Sequence, residues 1–119
     1  MKLRLQAFHC AAAGISHLFR TQPHARWHFL AMALVVITGI FCKVRRMEWL
    51  ALLLAMGLVW TAEACNTAIE LACDAITREQ HPLIGRAKDV AAGAVLLAAL
   101  FAALVGAMVF APRLLGSYP

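Results

Sequence analysis

One face of a single hydrophobic helix carries three carboxylates and an amide. Glu63, Asn66, Glu70 and Asp74 follow one another at steps of three, four and four residues, so they share a stripe on a helix that turns every 3.6 residues. The preceding residues, 49–62, contain no charge. Three carboxylates facing lipid would cost roughly 7–10 kcal/mol, since each costs about 2.5–3.5 kcal/mol near a bilayer centre. The stripe must therefore face protein or water, and it is the first place to look for chemistry.

The composition indicates an all-α integral membrane protein. Hydrophobic residues make up 63% of the 119 residues, against about 45–50% in typical soluble domains, and the mean hydropathy is +0.77. We expect one membrane domain over residues 1–119, with transmembrane helices at about 27–42, 47–76 and 88–111. The first stretch is short for a crossing, and we expect Trp27 and His28 to lie at the interface.

Residues 1–20 predict an amphipathic helix that lies on the membrane surface. Leu5, Phe8 and Ile15 contribute to a loose apolar face, and basic residues stand near both ends of the segment. Polar residues interrupt the apolar run, which argues against a cleaved signal peptide.

The basic residues also predict an orientation. With a cytoplasmic N-terminus, seven of the 11 lysines and arginines lie inside, together with the loop 75–89, and four lie outside. The net charge of +5 is then a membrane-surface feature, and no basic patch with interleaved aromatic residues indicates nucleic acid. The four cysteines lack CxxC spacing, so we expect them to be small buried apolar residues.

A second group of polar residues precedes the last apolar stretch. Pro82 marks the loop, Lys88 and Asp89 stand where the third span begins, and Pro112 is expected to end that helix. These charges could simply hold the helix end at the headgroups. Taken with the stripe, they suit a phosphate-bearing ligand, because carboxylates bind Mg²⁺, lysine neutralises phosphate oxygens, and a carboxylate can take a proton from an alcohol. Neither a Walker sequence nor a kinase glycine-rich loop is present in the sequence.

Three segments in combination resemble a known family. They read E-x-x-N-T-A-I-E-x-x-x-D from Glu63 to Asp74, E-x-H from Glu79 to His81, and A-K-D-x-A-A-G-A-V from Ala87 to Val95. This combination resembles the prokaryotic diacylglycerol kinase / undecaprenol kinase family, and the likeness covers most of the chain. It implies a homotrimer in the bacterial cytoplasmic membrane with shared active sites at the cytoplasmic surface. The reaction it implies transfers the γ-phosphate of MgATP to a lipid hydroxyl, that of undecaprenol or diacylglycerol.

The resemblance also implies roles for individual residues. Glu63 corresponds to the general base that deprotonates the lipid alcohol, Glu70 to a ligand of Mg²⁺, and Asn66 to a supporting residue. Asp74 is either a water-mediated metal ligand or a solvated charge at the helix end. The residues that correspond to ATP-binding positions are Gln22, Glu70, Glu79, Gln80, His81, Lys88 and Asp89, with Lys88 on phosphate. His28 matches a family position, for which we expect no role beyond anchoring.

Two positions depart from the family pattern. Gln22 stands where a second metal-binding glutamate is expected, so it offers Mg²⁺ a neutral oxygen, and metal binding should be weaker or borrow Asp74. Leu3 occupies the position of an arginine that helps to hold nucleotide in some members.

The sequence leaves two other functions open. A small proton-coupled transporter would explain Glu63 but not Glu70, Asn66 or Lys88. A catalytically weakened family member that binds lipid or nucleotide would fit Gln22. The lipid itself is not specified, because both candidate substrates meet only generic apolar residues.

Overall fold

The computed structural model describes residues 2–116, with side chains from residue 5 onward. Four helices follow in order, namely α1 (Lys2–Thr21), α2 (Pro23–Phe41), α3 (Arg46–Ile76) and α4 (Pro82–Leu114). The last three are long and apolar enough to cross a membrane. This confirms the predicted all-α fold with three spans. The predicted domain also includes Met1 and residues 117–119, which lie outside the described residues.

Helix α4 is longer than predicted at both ends. It begins at Pro82 rather than near residue 88, because proline suits the first helical position and His81 Nδ1 accepts a hydrogen bond from the Leu83 N–H at 3.3 Å. The expected stop at Pro112 is wrong, since the helix continues to Leu114. A proline one turn from the end removes a single backbone hydrogen bond, and Arg113 Nη1 donates to the Val109 carbonyl at 2.7 Å in the same turn.

Helices α3 and α4 form an antiparallel hairpin, which is the most extensive helix pair among the described residues. An ion pair closes each end of it. Arg113 pairs with Glu48 through Nη1–Oε1 (2.9 Å) and Nη2–Oε2 (2.5 Å) at one end, and Lys88 pairs with Asp74 at 2.5 Å at the other. The two pairs lie about 38 Å apart along the helix axes. Together they fix the register in which α3 and α4 pack.

Helix α2 approaches α3 closely at one glycine. Gly39 is buried, and the Trp49 ring of α3 covers it so tightly that an added Cβ would lie 2.6 Å from Trp49 Cη2. The turn between the helices places Lys43 at φ 48°. The absence of a side chain at Gly39 therefore lets α2 pack closely against α3 of the hairpin.

Helix α1 is held at its C-terminal end. Leu18 is buried, and the Phe19 ring lies 6.1 Å from Phe29 of α2 and 5.0 Å from Trp60 of α3, centroid to centroid. Leu5, Phe8 and Ile15 remain exposed. The segment is helical as expected, and its position on a membrane surface stays a prediction.

Candidate functional site

The polar stripe of α3 changes from buried to exposed along its length. Glu63 is 2% exposed, Asn66 and Glu70 are half-buried, and Asp74 is exposed. The stripe therefore faces protein at Glu63 and opens towards water at Asp74, as its energetic cost required.

Helix length places Glu63 near one boundary of the hydrocarbon. Helix α3 is about 46 Å long, whereas the hydrocarbon core of a bilayer is about 30 Å thick. Arg46 and Arg113 lie at the same end of the hairpin, so that end belongs outside the hydrocarbon. Measured from there, the opposite boundary falls near residue 66. We therefore expect Glu63 to lie just inside the hydrocarbon, and Glu70 and Asp74 to lie beyond it.

Glu63 is paired with a histidine of another helix. His28 Nε2 of α2 lies 3.7 Å from Glu63 Oε2, and the two side chains are 23% and 3% exposed. Thr67, one turn further along α3, is also buried, and its hydroxyl has no hydrogen-bond partner among the described residues. The buried end of the stripe thus combines a carboxylate, an imidazole and a hydroxyl.

Asn66 and Glu70 form the next level of the stripe. Asn66 Nδ2 donates to Glu70 Oε1 at 3.3 Å, and this leaves Asn66 Oδ1 buried with no hydrogen-bond partner within the described part of the chain. An unpaired amide oxygen beside a carboxylate is a donor set that a hard cation such as Mg²⁺ prefers. Residues 5–116 contain no cluster of three or more His, Cys, Asp or Glu side chains that could hold a metal ion alone.

A polar crevice of about 520 Å³ opens at the turn between α3 and α4. The Thr77 hydroxyl accepts a hydrogen bond from the Glu79 N–H at 3.1 Å, which orders this turn. The structure gathers five of the residues singled out from the sequence around the crevice, namely Asp74, Glu79, Gln80, His81 and Lys88. Its volume falls within the range of about 300–1,000 Å³ that is usual for small-molecule sites.

Two of the sequence-predicted residues lie elsewhere. Asp89 is exposed on α4 and does not line the crevice. Gln22 is the N-cap residue of α2, where its N–H donates to the Leu18 carbonyl at 3.1 Å. The side chain of Leu3 lies outside the described side chains. Asp74 takes a role that the sequence did not predict, because it holds the Lys88 ammonium.

An apolar crevice of about 260 Å³ starts at His28 and extends away from the polar end of the molecule. Small residues of α4 leave room for it, and Leu52 and Phe110 lie towards its other end. All its lining side chains except His28 are apolar. It therefore lies on the hydrocarbon side of Glu63.

Two site residues were missed from the sequence. His28 belongs to another helix, and no spacing rule connects it with Glu63 across the α2–α3 packing. Thr67 carried a signal, because it follows Glu63 by four residues and so lies on the same helix face. Its burial beside the carboxylate appears only in the folded chain.

The chain is similar to known lipid kinases over most of its length. The sequence model of the prokaryotic diacylglycerol kinase family matches residues 9–110. The undecaprenol kinase of Bacillus subtilis (strain 168) is 37% identical over 109 residues, covering 92% of this chain and 89% of that protein. The diacylglycerol kinase of Synechocystis sp. is 38% identical over 112 residues, covering 93% of this chain and 64% of that protein. The diacylglycerol kinase of Escherichia coli (strain K12) is 36% identical over 91 residues, covering 76% and 75%.

Proposed function

The chain belongs to the prokaryotic diacylglycerol kinase family, and we propose that this lipid kinase transfers the γ-phosphate of MgATP to a membrane lipid alcohol. The proposed acceptor is undecaprenol or diacylglycerol, the lipids after which its relatives are named. The proposal rests on one observation. Glu63 is a buried carboxylate near the expected hydrocarbon boundary, and further polar groups lie beyond it. A lipid hydroxyl and a water-soluble phosphate donor can meet only at such a boundary.

Glu63 is the proposed general base. A lipid alcohol carries its hydroxyl at the membrane surface, where Glu63 can accept its proton as the oxygen attacks phosphorus. Burial of Glu63 keeps out water, which would otherwise compete with the lipid for the phosphoryl group. The unpaired Thr67 hydroxyl is positioned one turn away to orient the alcohol.

The lipid tail is proposed to occupy the apolar crevice that starts at His28. The crevice lies on the hydrocarbon side of Glu63, and its lining beyond His28 is entirely apolar. A tail held there would bring its hydroxyl end towards the carboxylate. Such positioning contributes to catalysis because it makes the attack effectively unimolecular.

Glu70 and Asn66 are the residues proposed to hold the metal. The orphaned Asn66 Oδ1 and the Glu70 carboxylate supply oxygen donors, and Mg²⁺ commonly takes one or two protein carboxylates together with substrate phosphates. Bound with ATP, Mg²⁺ would neutralise charge on the phosphate oxygens. Glu70 is two turns, about 10.5 Å along the axis, from Glu63. This spacing leaves room for a phosphate chain between the metal and the lipid hydroxyl.

Lys88 is the proposed contact for the phosphates of the nucleotide. It lines the polar crevice with Glu79, Gln80 and His81, and Asp74 holds its ammonium towards that crevice. The ion pair with Asp74 already restricts the side chain of Lys88. Moving the ammonium from Asp74 to a phosphate oxygen therefore costs little additional conformational entropy. The basic-residue distribution supports a cytoplasmic position for this end and a cytoplasmic N-terminus, in the inner membrane of a bacterium.

The experiment is a phosphate-transfer assay with the full chain reconstituted in lipid vesicles. Labelled γ-phosphate should appear in the lipid fraction when ATP, Mg²⁺ and either undecaprenol or diacylglycerol are present. It should disappear when Mg²⁺ is chelated or when Glu63 is changed to glutamine. Parallel assays with the two lipids identify the preferred substrate. Label in neither lipid, with folded protein and excess MgATP, would refute the proposal.

A further inference from the structure

His28 places a titratable group beside a base that is otherwise sealed from water. The Glu63 side chain is 3% exposed, whereas the His28 side chain is 23% exposed and approaches Glu63 Oε2 to 3.7 Å through Nε2. Contraction by about 0.5–1 Å would make this a hydrogen bond, and catalytic hydrogen bonds are often long before substrates bind. His28 thus lies between the buried carboxylate and the outside.

Other titratable groups near this pair are exposed or already engaged. Those on the surrounding helices are His17 and Arg20 of α1, Arg26 of α2, Glu70 of α3 and Lys88 of α4. The three on α1 and α2 are exposed, Glu70 accepts a hydrogen bond from Asn66, and Lys88 pairs with Asp74. Among the ion pairs of the described residues, His28 is the partner of Glu63.

Each turnover of the proposed kinase leaves a proton on Glu63. The lipid oxygen forms a bond to the γ-phosphorus, the bond from that phosphorus to the bridging oxygen breaks, and ADP leaves with the electron pair. The hydroxyl proton moves to Glu63 and converts the base into a carboxylic acid. The next turnover requires this buried acid to lose its proton.

We propose that His28 is the residue through which Glu63 returns its proton to solvent. Neutral His28 accepts the proton from the Glu63 carboxylic acid at Nε2, which leaves an imidazolium–carboxylate pair. The imidazolium then releases a proton to water through its exposed fraction. In this scheme His28 acts on the reaction through Glu63, so it is a positioning and proton-relay residue and does not contact the reacting hydroxyl. The inference rests on the proposed kinase reaction.

The scheme fixes the sign of the pH dependence. His28 must be neutral to accept the proton, and imidazole changes its charge between about pH 5 and pH 8. Lipid phosphorylation by the unmodified protein should therefore be greatest towards pH 8 and should decline as pH falls. A rate constant kcat that is flat from about pH 5 to pH 8 would overturn the inference without any variant.

The decisive comparison uses His28→Gln, with His24→Gln as a matched control one turn earlier on α2, where the side chain is exposed. We expect His28→Gln to lower kcat at least about tenfold, to keep the KM for ATP, and to lose the acid decline. His24→Gln should behave as the unmodified protein. In His28→Ala, added imidazole should restore part of kcat, which a purely structural role of His28 would not allow.

The outcomes separate this inference from the proposed function. If the unmodified protein phosphorylates lipid and Glu63→Gln does not, but His28→Gln keeps the full kcat and pH profile, the proton relay is refuted and the kinase stands. Loss of activity in His28→Ala with no imidazole rescue and an unchanged pH profile would also refute the relay. If the unmodified protein transfers no phosphate to lipid, both the kinase function and the proton relay are refuted.

Discussion

At the scale of single residues, Glu63 is the one buried carboxylate among the described residues. The imidazole of His28 lies beside it, with Nε2 at 3.7 Å from Glu63 Oε2. Asn66 and Glu70 face the same direction with one oxygen still unpaired. Buried polar groups are usually hydrogen-bonded to protein, water or a ligand, and a phosphate with its metal is the ligand proposed here.

Substitution of Gln22 tests whether a second carboxylate strengthens Mg²⁺ binding at the proposed metal site. We predict that Gln22→Glu lowers the Mg²⁺ concentration required for half-maximal activity, because a carboxylate binds a hard cation more strongly than an amide does. The measurement is a Mg²⁺ titration of lipid phosphorylation at saturating ATP. Gln6→Glu, on α1, provides a control with the same change of charge. An identical Mg²⁺ requirement in Gln22→Glu and the unmodified protein would exclude Gln22 from the metal site.

The sequence predicted the stripe correctly because a single helix determines it. Glu63, Asn66, Glu70 and Asp74 share a face by spacing alone, and their graded burial follows from an uncharged segment on one side and a polar loop on the other. The Glu63–His28 and Asp74–Lys88 pairs could not be predicted in this way. Each joins two helices, so it depends on the packing angle and register of those helices.

At the scale of helices, packing at a glycine determines how α2 meets the hairpin. The three spans were predictable from hydropathy, but their helical ends were not. Helices α2 and α4 begin at Pro23 and Pro82, before the apolar stretches that hydropathy detects. Because α4 begins at Pro82, Lys88 lies within a helix rather than in a loop. Its side chain reaches Asp74 of α3 from there.

Gly39→Ala tests the α2–α3 contact. We predict a loss of about 1–3 kcal/mol in unfolding free energy, because the added methyl group would overlap the Trp49 ring. Gly57→Ala on α3 is the matched control, since an added Cβ there meets nothing within 4 Å. Thermal unfolding in detergent, followed by tryptophan fluorescence, measures both. Equal stability of the two variants would show that α2 does not approach Trp49 as described.

At the scale of the whole molecule, one chain leaves its site open. Asn66 and Glu70 remain half-buried, and large apolar residues cover the outer faces of all three spans. Lipid can cover the apolar residues but not the polar ones. The predicted homotrimer would enclose them, and the family resemblance implies that neighbouring copies share the site.

The oligomeric state can be measured directly. We expect the purified protein to have a protein mass three times the 12.9 kDa of one chain, determined by light scattering with the detergent contribution subtracted. Dilution that dissociates the trimer should abolish lipid phosphorylation in parallel with the loss of mass. A monomer that retains full activity would contradict the shared site.

Glu63 is the proposed base of the lipid kinase, and one pair of glutamine variants tests that role. Glu63→Gln and Glu48→Gln make the same change at two positions of α3, and Glu48 lies at the far end of the hairpin beside Arg113. The measurement is the initial rate of γ-phosphate transfer from MgATP to lipid in vesicles. We predict that Glu48→Gln retains the rate of the unmodified protein and that Glu63→Gln loses about 10²–10⁴-fold while still binding ATP. A Glu63→Gln variant that transfers phosphate at the rate of the unmodified protein would show that Glu63 is not the base.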